Sequence, residues 1–181
     1  MEIQSIYQES IKFAASKHEE KKQTIPGTSL PYVVHLSNVA MEILVASQNS
    51  SSFKLDFAIQ LALLHDTLED TSATFEEISK QFGLDVAQGI SALTKNEKLP
   101  KTEKMLDSLR RIKDLQTEVW AVKLADRITN LQEPPAHWEN SKKSEYRQEA
   151  IQILQYLKGA NSYLEQRLSS KITEYEKYIH A

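Results

Sequence analysis

No cysteine occurs among the 181 residues, which excludes disulfides, thiolate metal sites and cysteine nucleophiles. Any metal bound here must be held by histidine, carboxylate and water. Glycine and proline are scarce, at 4 and 5 residues, leaving little material for hairpins and favouring helices. No apolar stretch approaches the roughly 20 residues that cross a bilayer. The N-terminal MEIQSIYQESIKF has no basic segment leading into an apolar one, so no signal peptide is expected. Nor is there an excess of positive charge. A formal net charge of −3 makes no electrostatic case for nucleic acid as a partner. The expectation is an all-α, cytoplasmic protein whose residues 1–181 form a single domain, large enough to bury a core without staples.

Against those absences one stretch stands out, Leu61–Thr71, LALLHDTLEDT. An apolar run ends in His65–Asp66, and Glu69 and Asp70 follow one helical turn later. If the helix is continuous, His65 and Glu69 are i, i+4, as are Asp66 and Asp70, so all four emerge on adjacent rows of one face. Three acids and an imidazole ending a buried helix are costly unless a cation compensates them. A divalent metal answers that need, although a solvated helix end with one core histidine is the simpler alternative for these residues alone.

The rest of the chain reads as a series of helices. Ile3 to about His18 is amphipathic, and Gln23–Pro31 (QTIPGTSLP) is the clearest loop. A second helix opens at Pro31–Tyr32 with His35 in its first turn, and the Ser-rich Ser47–Ser52 connects it to a third, Lys54–Leu68. Thr74 with Glu77 forms a capping-box pattern for a helix ending near Phe82–Gly83. Helices are predicted over Asp85–Leu93, Thr102–Lys113 and Glu118–Leu131, the last running from apolar into Asp126, Arg127 and Asn130. Lys142–Tyr178 forms one long helix or two, bent near Gly159.

Separate helices can thus bring His35, His65, Asp66 and Asp126 to one end of a bundle. Two imidazoles and two carboxylates suit Mn²⁺, Fe²⁺ or Zn²⁺ and suit Ca²⁺ poorly. An ion so held would acidify a water and polarise a phosphoryl oxygen. Glu69 and Asp70 would then orient that water or move its proton. Taken singly, His35 reads equally well as a core histidine, and Asp126 as a helix-end ion pair with Arg127 or Lys123; the combination favours the metal.

The order His35…His65–Asp66…Asp126 resembles the HD-domain metal-dependent phosphohydrolase superfamily. The segments PYVVHLSNVA, ALLHDTLEDT, ALTKN and VKLADRITNL narrow the likeness to the hydrolase domain of the RelA/SpoT homologues, especially the stand-alone small alarmone hydrolases. That resemblance spans about Ile11 to Tyr156 and implies an all-α helical bundle that binds one Mn²⁺. The implied activity removes the 3′-pyrophosphate from guanosine tetra- or pentaphosphate, giving GDP or GTP; some relatives act on NADPH. By the same resemblance His35, His65, Asp66 and Asp126 map to the metal ligands and Glu69 and Asp70 to the catalytic acids. Asn130 maps to an asparagine at the nucleotide sugar, and Tyr146 falls where a nucleotide-contacting tyrosine is expected, though it also reads as a surface aromatic. Lys95 in TKN is a phosphate neighbour or simply a helix-end lysine. The synthetase and regulatory domains of the long homologues are not expected.

The chain departs from the family at KKQTIPGTSLPY, where an Arg-Lys pair usually precedes GxPY, the arginine stacking on the base. Lys21 and Lys22 are the candidates for that work, yet an ammonium stacks on a base far less well than a guanidinium. Two alternatives therefore accompany the main reading: a phosphohydrolase of another nucleotide (an NADPH phosphatase or a nucleotidase), and a nucleotide-sensing module without turnover.

Overall fold

Helix follows helix with short connections, as the glycine and proline counts require. The computed structural model describes residues 2–50 and 52–179; Ser51, in the Ser47–Ser52 connector, lies outside the described residues. The order is α1 (Ile3–Glu20), α2 (Val33–Ser47), α3 (Leu55–Leu64), α4 (Thr67–Asp70), α5 (Phe75–Phe82), α6 (Leu84–Leu93), α7 (Lys101–Lys113), α8 (Thr117–Asn130), α9 (Asn140–Tyr156) and α10 (Ser162–Tyr175), then a 3₁₀ turn, Glu176–Tyr178. Among the described residues the β pairing is one isolated bridge, Thr24 to Pro31. The protein is all-α.

Local chemistry explains the boundaries. Thr74 caps α5 by accepting from the Glu77 N–H at 3.1 Å, and Gly83, at φ 98°, turns the chain into α6. Asn161 accepts from the Leu164 N–H at 3.1 Å to start α10. Between α9 and α10 the break comes at Gly159, φ 97°, so the C-terminal stretch is two helices.

At the centre lies α3, whose Leu61, Ala62, Leu63 and Leu64 are all fully buried. It packs against α1, α2, α6 and α8. Gly89 of α6 allows a close approach: a Cβ there would stand 2.6 Å from Leu61 Cδ2. The buried face of α8 (Val119, Ala121, Val122, Leu124, Ala125) then brings the end of that helix alongside the end of α3.

The expected continuous helix Lys54–Leu68 does not form; α3 stops at Leu64 and a short turn separates it from α4. Side chains cause the break. His65 Nδ1 donates to the Ala62 carbonyl at 2.9 Å, and Thr67 Oγ1 to the Leu64 carbonyl at 2.6 Å. Both carbonyls would otherwise accept from the main-chain ladder of a continuing helix. His65 and Asp66 therefore sit at a corner and not on successive rows of one helix.

Candidate metal centre and active site

At that corner the buried ends of three helices meet. His35 comes from the first turn of α2, His65 caps α3, and Asp126 lies in the last turn but one of α8, exposed by only 4%, 3% and 7%. One ligand atom from each lies within 4.8 Å of the others. His35 Nε2 is 3.4 Å from His65 Nε2 and 3.4 Å from Asp126 Oδ1, and His65 Nε2 is 3.6 Å from the same oxygen. Asp66 Oδ2 adjoins both rings, at 2.9 Å from His65 Nε2 and 3.8 Å from His35 Nε2. It also accepts a hydrogen bond from the Tyr32 hydroxyl.

The donor chemistry fits a divalent cation. Because the Ala62 carbonyl can only accept, His65 Nδ1 carries a proton, which leaves Nε2 with a lone pair for a metal. Asp126 divides its oxygens: Oδ1 faces the imidazoles, and Oδ2 accepts from Lys123 Nζ at 3.2 Å. The ion pair offered as an alternative for Asp126 thus exists, with Lys123 and not Arg127, and it leaves the other oxygen facing inward. Burial alone would raise both carboxyls. His65 beside Asp66 and Lys123 beside Asp126 outweigh it and hold both below the ordinary carboxylate value. Burial disfavours charge on His65, yet Asp66 and Asp126 carry its pKa well above the ordinary 6.5. A pocket that draws a proton so strongly would draw a divalent cation for the same electrostatic reason, and the ion would displace that proton.

One turn on, α4 carries Glu69 and Asp70, tied to the metal corner by the Asp70 N–H donating to the Asp66 carbonyl at 2.9 Å. The two acids have different partners. Glu69 accepts from the Lys95 N–H at 3.0 Å and from Lys95 Nζ at 3.1 Å. Asp70 accepts from Gln23 Nε2 at 2.9 Å, a neutral donor. Burial, with Asp66 and Glu69 nearby, raises the Asp70 pKa, although the Gln23 hydrogen bond opposes the rise. Lys95 is therefore beside the acids, paired with Glu69. Burial disfavours its charge, but Glu69 reverses that and raises its pKa.

A cavity of about 220 Å³ opens beside the metal corner, lined by His35, Asn38 and Asn130 at that end and by Trp138, Tyr146 and Tyr175 elsewhere. Asn130 Nδ2 donates to Asp126 Oδ1 at 2.5 Å, so it touches both a candidate ligand and the cavity. Tyr146 is an inner wall and not a surface aromatic. Its ring stands 5.3 Å from Trp138, with the Arg127 guanidinium 4.2 Å from its centroid. The loop before Tyr32 adds Ile25, Pro26, Thr28 and Leu30 to the lining. Lys21 and Lys22 are exposed at the end of α1, and neither lines this cavity.

The sequence reading missed Tyr32, Gln23 and His18. Tyr32 and His35 stand i, i+3, so a hydroxyl beside the first histidine could have been read from spacing. Nothing local pointed to the other two.

The model of the HD domain family matches residues 10–162. The chain belongs to the HD domain family. Among its relatives, the guanosine-3′,5′-bis(diphosphate) 3′-pyrophosphohydrolase MESH1 of Danio rerio is 34% identical, over 92% of this chain and 92% of that protein. MESH1 of Homo sapiens is 33% identical, over 88% and 89%. A solved structure described as a metazoan ortholog of SpoT that hydrolyses ppGpp superposes with a TM-score of 0.79 at 28% identity, covering 93% of this chain and 94% of that one. The HD assignment covers the whole metal corner, the acids of α4, and Trp138 and Tyr146 of the cavity wall, while Tyr175 lies beyond it. His35, His65 and Asp126 are its candidate metal site.

Proposed function

We propose that this HD-domain protein is a metal-dependent pyrophosphohydrolase that removes the 3′-diphosphate from guanosine tetra- or pentaphosphate, giving GDP or GTP and pyrophosphate. The observation that carries the reading is the joint placement of a two-histidine, two-aspartate corner, a carboxylate pair one turn on, and a cavity lined by aromatic rings. The activity named for relatives that align over most of their length supports the choice of substrate.

In this reading His35, His65, Asp66 and Asp126 hold one divalent ion, with Mn²⁺ as the proposed metal. When bound, it supplies Lewis acidity for the phosphoryl oxygen and lowers the pKa of a coordinated water. The chain's own groups do the rest. Asp70 and Glu69 orient the attacking water, and Asp70, raised by burial and its acidic neighbours, takes its proton. The water oxygen bonds to the phosphorus nearest the ribose while the bond from that phosphorus to the ribose 3′-oxygen breaks. The leaving 3′-oxygen receives the proton that Asp70 has taken, so the ribose keeps a 3′-hydroxyl and pyrophosphate departs. Lys95 offsets the charge of Glu69 beside the incoming phosphates, while Asn130 and Tyr146 receive the nucleoside, with Lys21 and Lys22 at the outer rim. The partner is a small nucleotide in the cytoplasm, not nucleic acid or membrane. Among the described residues no helix is long and apolar enough to cross a membrane.

One observation favours a second reading. Ile25, Pro26 and Leu30 line the cavity on the loop side, where the family resemblance implies cationic side chains. An apolar wall selects weakly for guanine, which leaves NADPH or another phosphorylated nucleotide as the competing substrate. Purified protein incubated with Mn²⁺ and, separately, ppGpp, NADPH and nucleoside mono- and triphosphates decides between them by anion-exchange chromatography. GDP and pyrophosphate from ppGpp, lost on chelation, are expected. Silence on ppGpp with phosphate released from NADPH establishes the second reading. No product in any tube, with nucleotide bound, makes the protein a sensor.

A further inference from the structure

The loop before Tyr32 is clipped at its neck. Thr24 pairs with Pro31, the Gln23 N–H donates to the His18 carbonyl at 3.1 Å, and the Tyr32 N–H donates to the Gln23 carbonyl at 3.1 Å. From this neck two side chains reach α4 and the corner before it: the Tyr32 hydroxyl donates to Asp66, and Gln23 Nε2 donates to Asp70 at 2.9 Å. Behind Gln23 stands His18, 2% exposed, whose Nδ1 lies 2.6 Å from Gln23 Oε1. The chain of donors has one direction. Asp70 as a carboxylate accepts only, so the Gln23 amide presents its NH₂ there and its oxygen to His18. That oxygen requires a proton on His18 Nδ1. Burial lowers the His18 pKa, so the ring is neutral, and its Nε2 is buried without a hydrogen-bond partner among the described residues. The tautomer that fixes the glutamine is therefore the one the pocket selects.

We propose that Gln23 is a positioning residue for Asp70, with His18 holding the Gln23 amide in the orientation that donates to the carboxylate. This rests on the reading of Asp70 as the acid that handles the proton of the attacking water. Glu69 has a cation to hold it; Asp70 has this neutral relay instead, which aims its carboxylate without neutralising it. The loop neck thus belongs to the catalytic machinery, whatever its apolar tip does to the substrate.

The test is a set of variants assayed for pyrophosphate release from ppGpp, or for product from whichever nucleotide the wild-type protein hydrolyses. Gln23→Ala and His18→Ala are each expected to lower kcat about tenfold and to change KM less than about twofold, a loss of orientation and not of binding. His18→Asn, whose amide nitrogen takes the place of Nδ1, recovers most of the rate; His18→Gln, whose nitrogen falls at Nε2, does not. In an Asp70→Asn background, Gln23→Ala has no further effect. Full activity in Gln23→Ala, or an equal loss in both backgrounds, overturns the proposal. Wild-type silence on ppGpp overturns the substrate assignment and leaves the relay to be judged on the other nucleotide. Should no nucleotide turn over, the Gln23 side-chain amide signal in ¹⁵N NMR decides: it must move in Asp70→Asn and in His18→Ala, and constancy in both overturns the relay. Circular dichroism of the His18 variants separates misfolding from misaiming.

Discussion

The metal corner and the loop neck meet at Asp66 and Asp70 and are built on opposite principles. Three of the four groups at the corner are fixed by buried helices, His35 by α2, His65 by α3 and Asp126 by α8, all under 10% exposed; Asp66 sits in the turn between α3 and α4. At the neck the polypeptide is irregular and mostly exposed, and its order comes from a bridge, two main-chain hydrogen bonds and the side chains that reach Asp66 and Asp70. Packing fixes the first region without regard to what it will bind. The second is fixed partly by the acids it serves, so changing those acids loosens the loop as well as the chemistry. Substitutions at the corner should therefore remove a function, and substitutions at the neck should tune one.

Asp66→Ala makes the sharpest break, because it removes a proposed anionic ligand and the acceptor of the Tyr32 hydroxyl together. Metal binding by calorimetry and turnover should both vanish, with a loss of about 10³-fold or more in kcat; appreciable metal-free activity would end the metal mechanism. Chelation of the wild-type protein should match it, and added Mn²⁺ should restore only the wild type.

Tyr32→Phe carries the comparison across the boundary, since it alters a neck residue and reads out at the corner. It removes one hydrogen bond to Asp66 and leaves the ring against His35, 5.1 Å between centroids. Groups that orient metal ligands in this way are worth about 10–100-fold in metal affinity. A titration that gives the wild-type affinity would show that the neck does not reach the metal.

What the sequence made legible follows the same division. Helix ends were readable to within a residue or two where a cap or a glycine marked them, as at Thr74 and Gly83; Gly159 marked a bend but left open whether one helix or two surrounded it. His35, His65, Asp66 and Asp126 could be grouped because each ends or begins an apolar run, and apolar runs must converge on one core. The corner at His65–Asp66 was not readable: two side-chain hydrogen bonds to the Ala62 and Leu64 carbonyls overrode a strong helical pattern. Nor was the Gln23–Asp70 contact, whose partners are 47 positions apart in a segment without periodicity. Lys21 and Lys22 attracted attention by their charge, yet Gln23, the neutral residue after them, is the one that turns toward the acids.

His18 allows a smaller test, of stability instead of rate. Burial lowers its pKa below 6.5, so the unfolded chain takes up a proton first as the pH falls. The contribution of the neutral ring is complete above the unfolded value and is lost progressively below it, levelling off once the pH passes the folded value. His18→Asn, which does not titrate there, should flatten urea-unfolding stability between about pH 6.5 and 5 relative to the wild type. An unchanged slope would mean that the ring is as easily protonated folded as unfolded.

The smallest effect belongs to Lys22, at φ 50° the one non-glycine residue with positive φ among the described residues. Among the described residues its exposed side chain has no hydrogen bond or ion pair, and its backbone angle falls where the chain leaves α1, one residue before Gln23. A left-handed conformation costs an L-residue about 1–2 kcal/mol, and glycine returns about 0.5–1 kcal/mol of that as extra unfolded-state entropy. Lys22→Gly should therefore stabilise the fold by about 0.5 kcal/mol in denaturant titrations while leaving kcat within about twofold, because the relay keeps its geometry. Lys22→Pro, which cannot adopt positive φ, should misdirect Gln23 and lower kcat as Gln23→Ala does. If both variants behave alike, the backbone at Lys22 does not aim the glutamine, and the neck owes its order to the bridge and the main-chain hydrogen bonds alone.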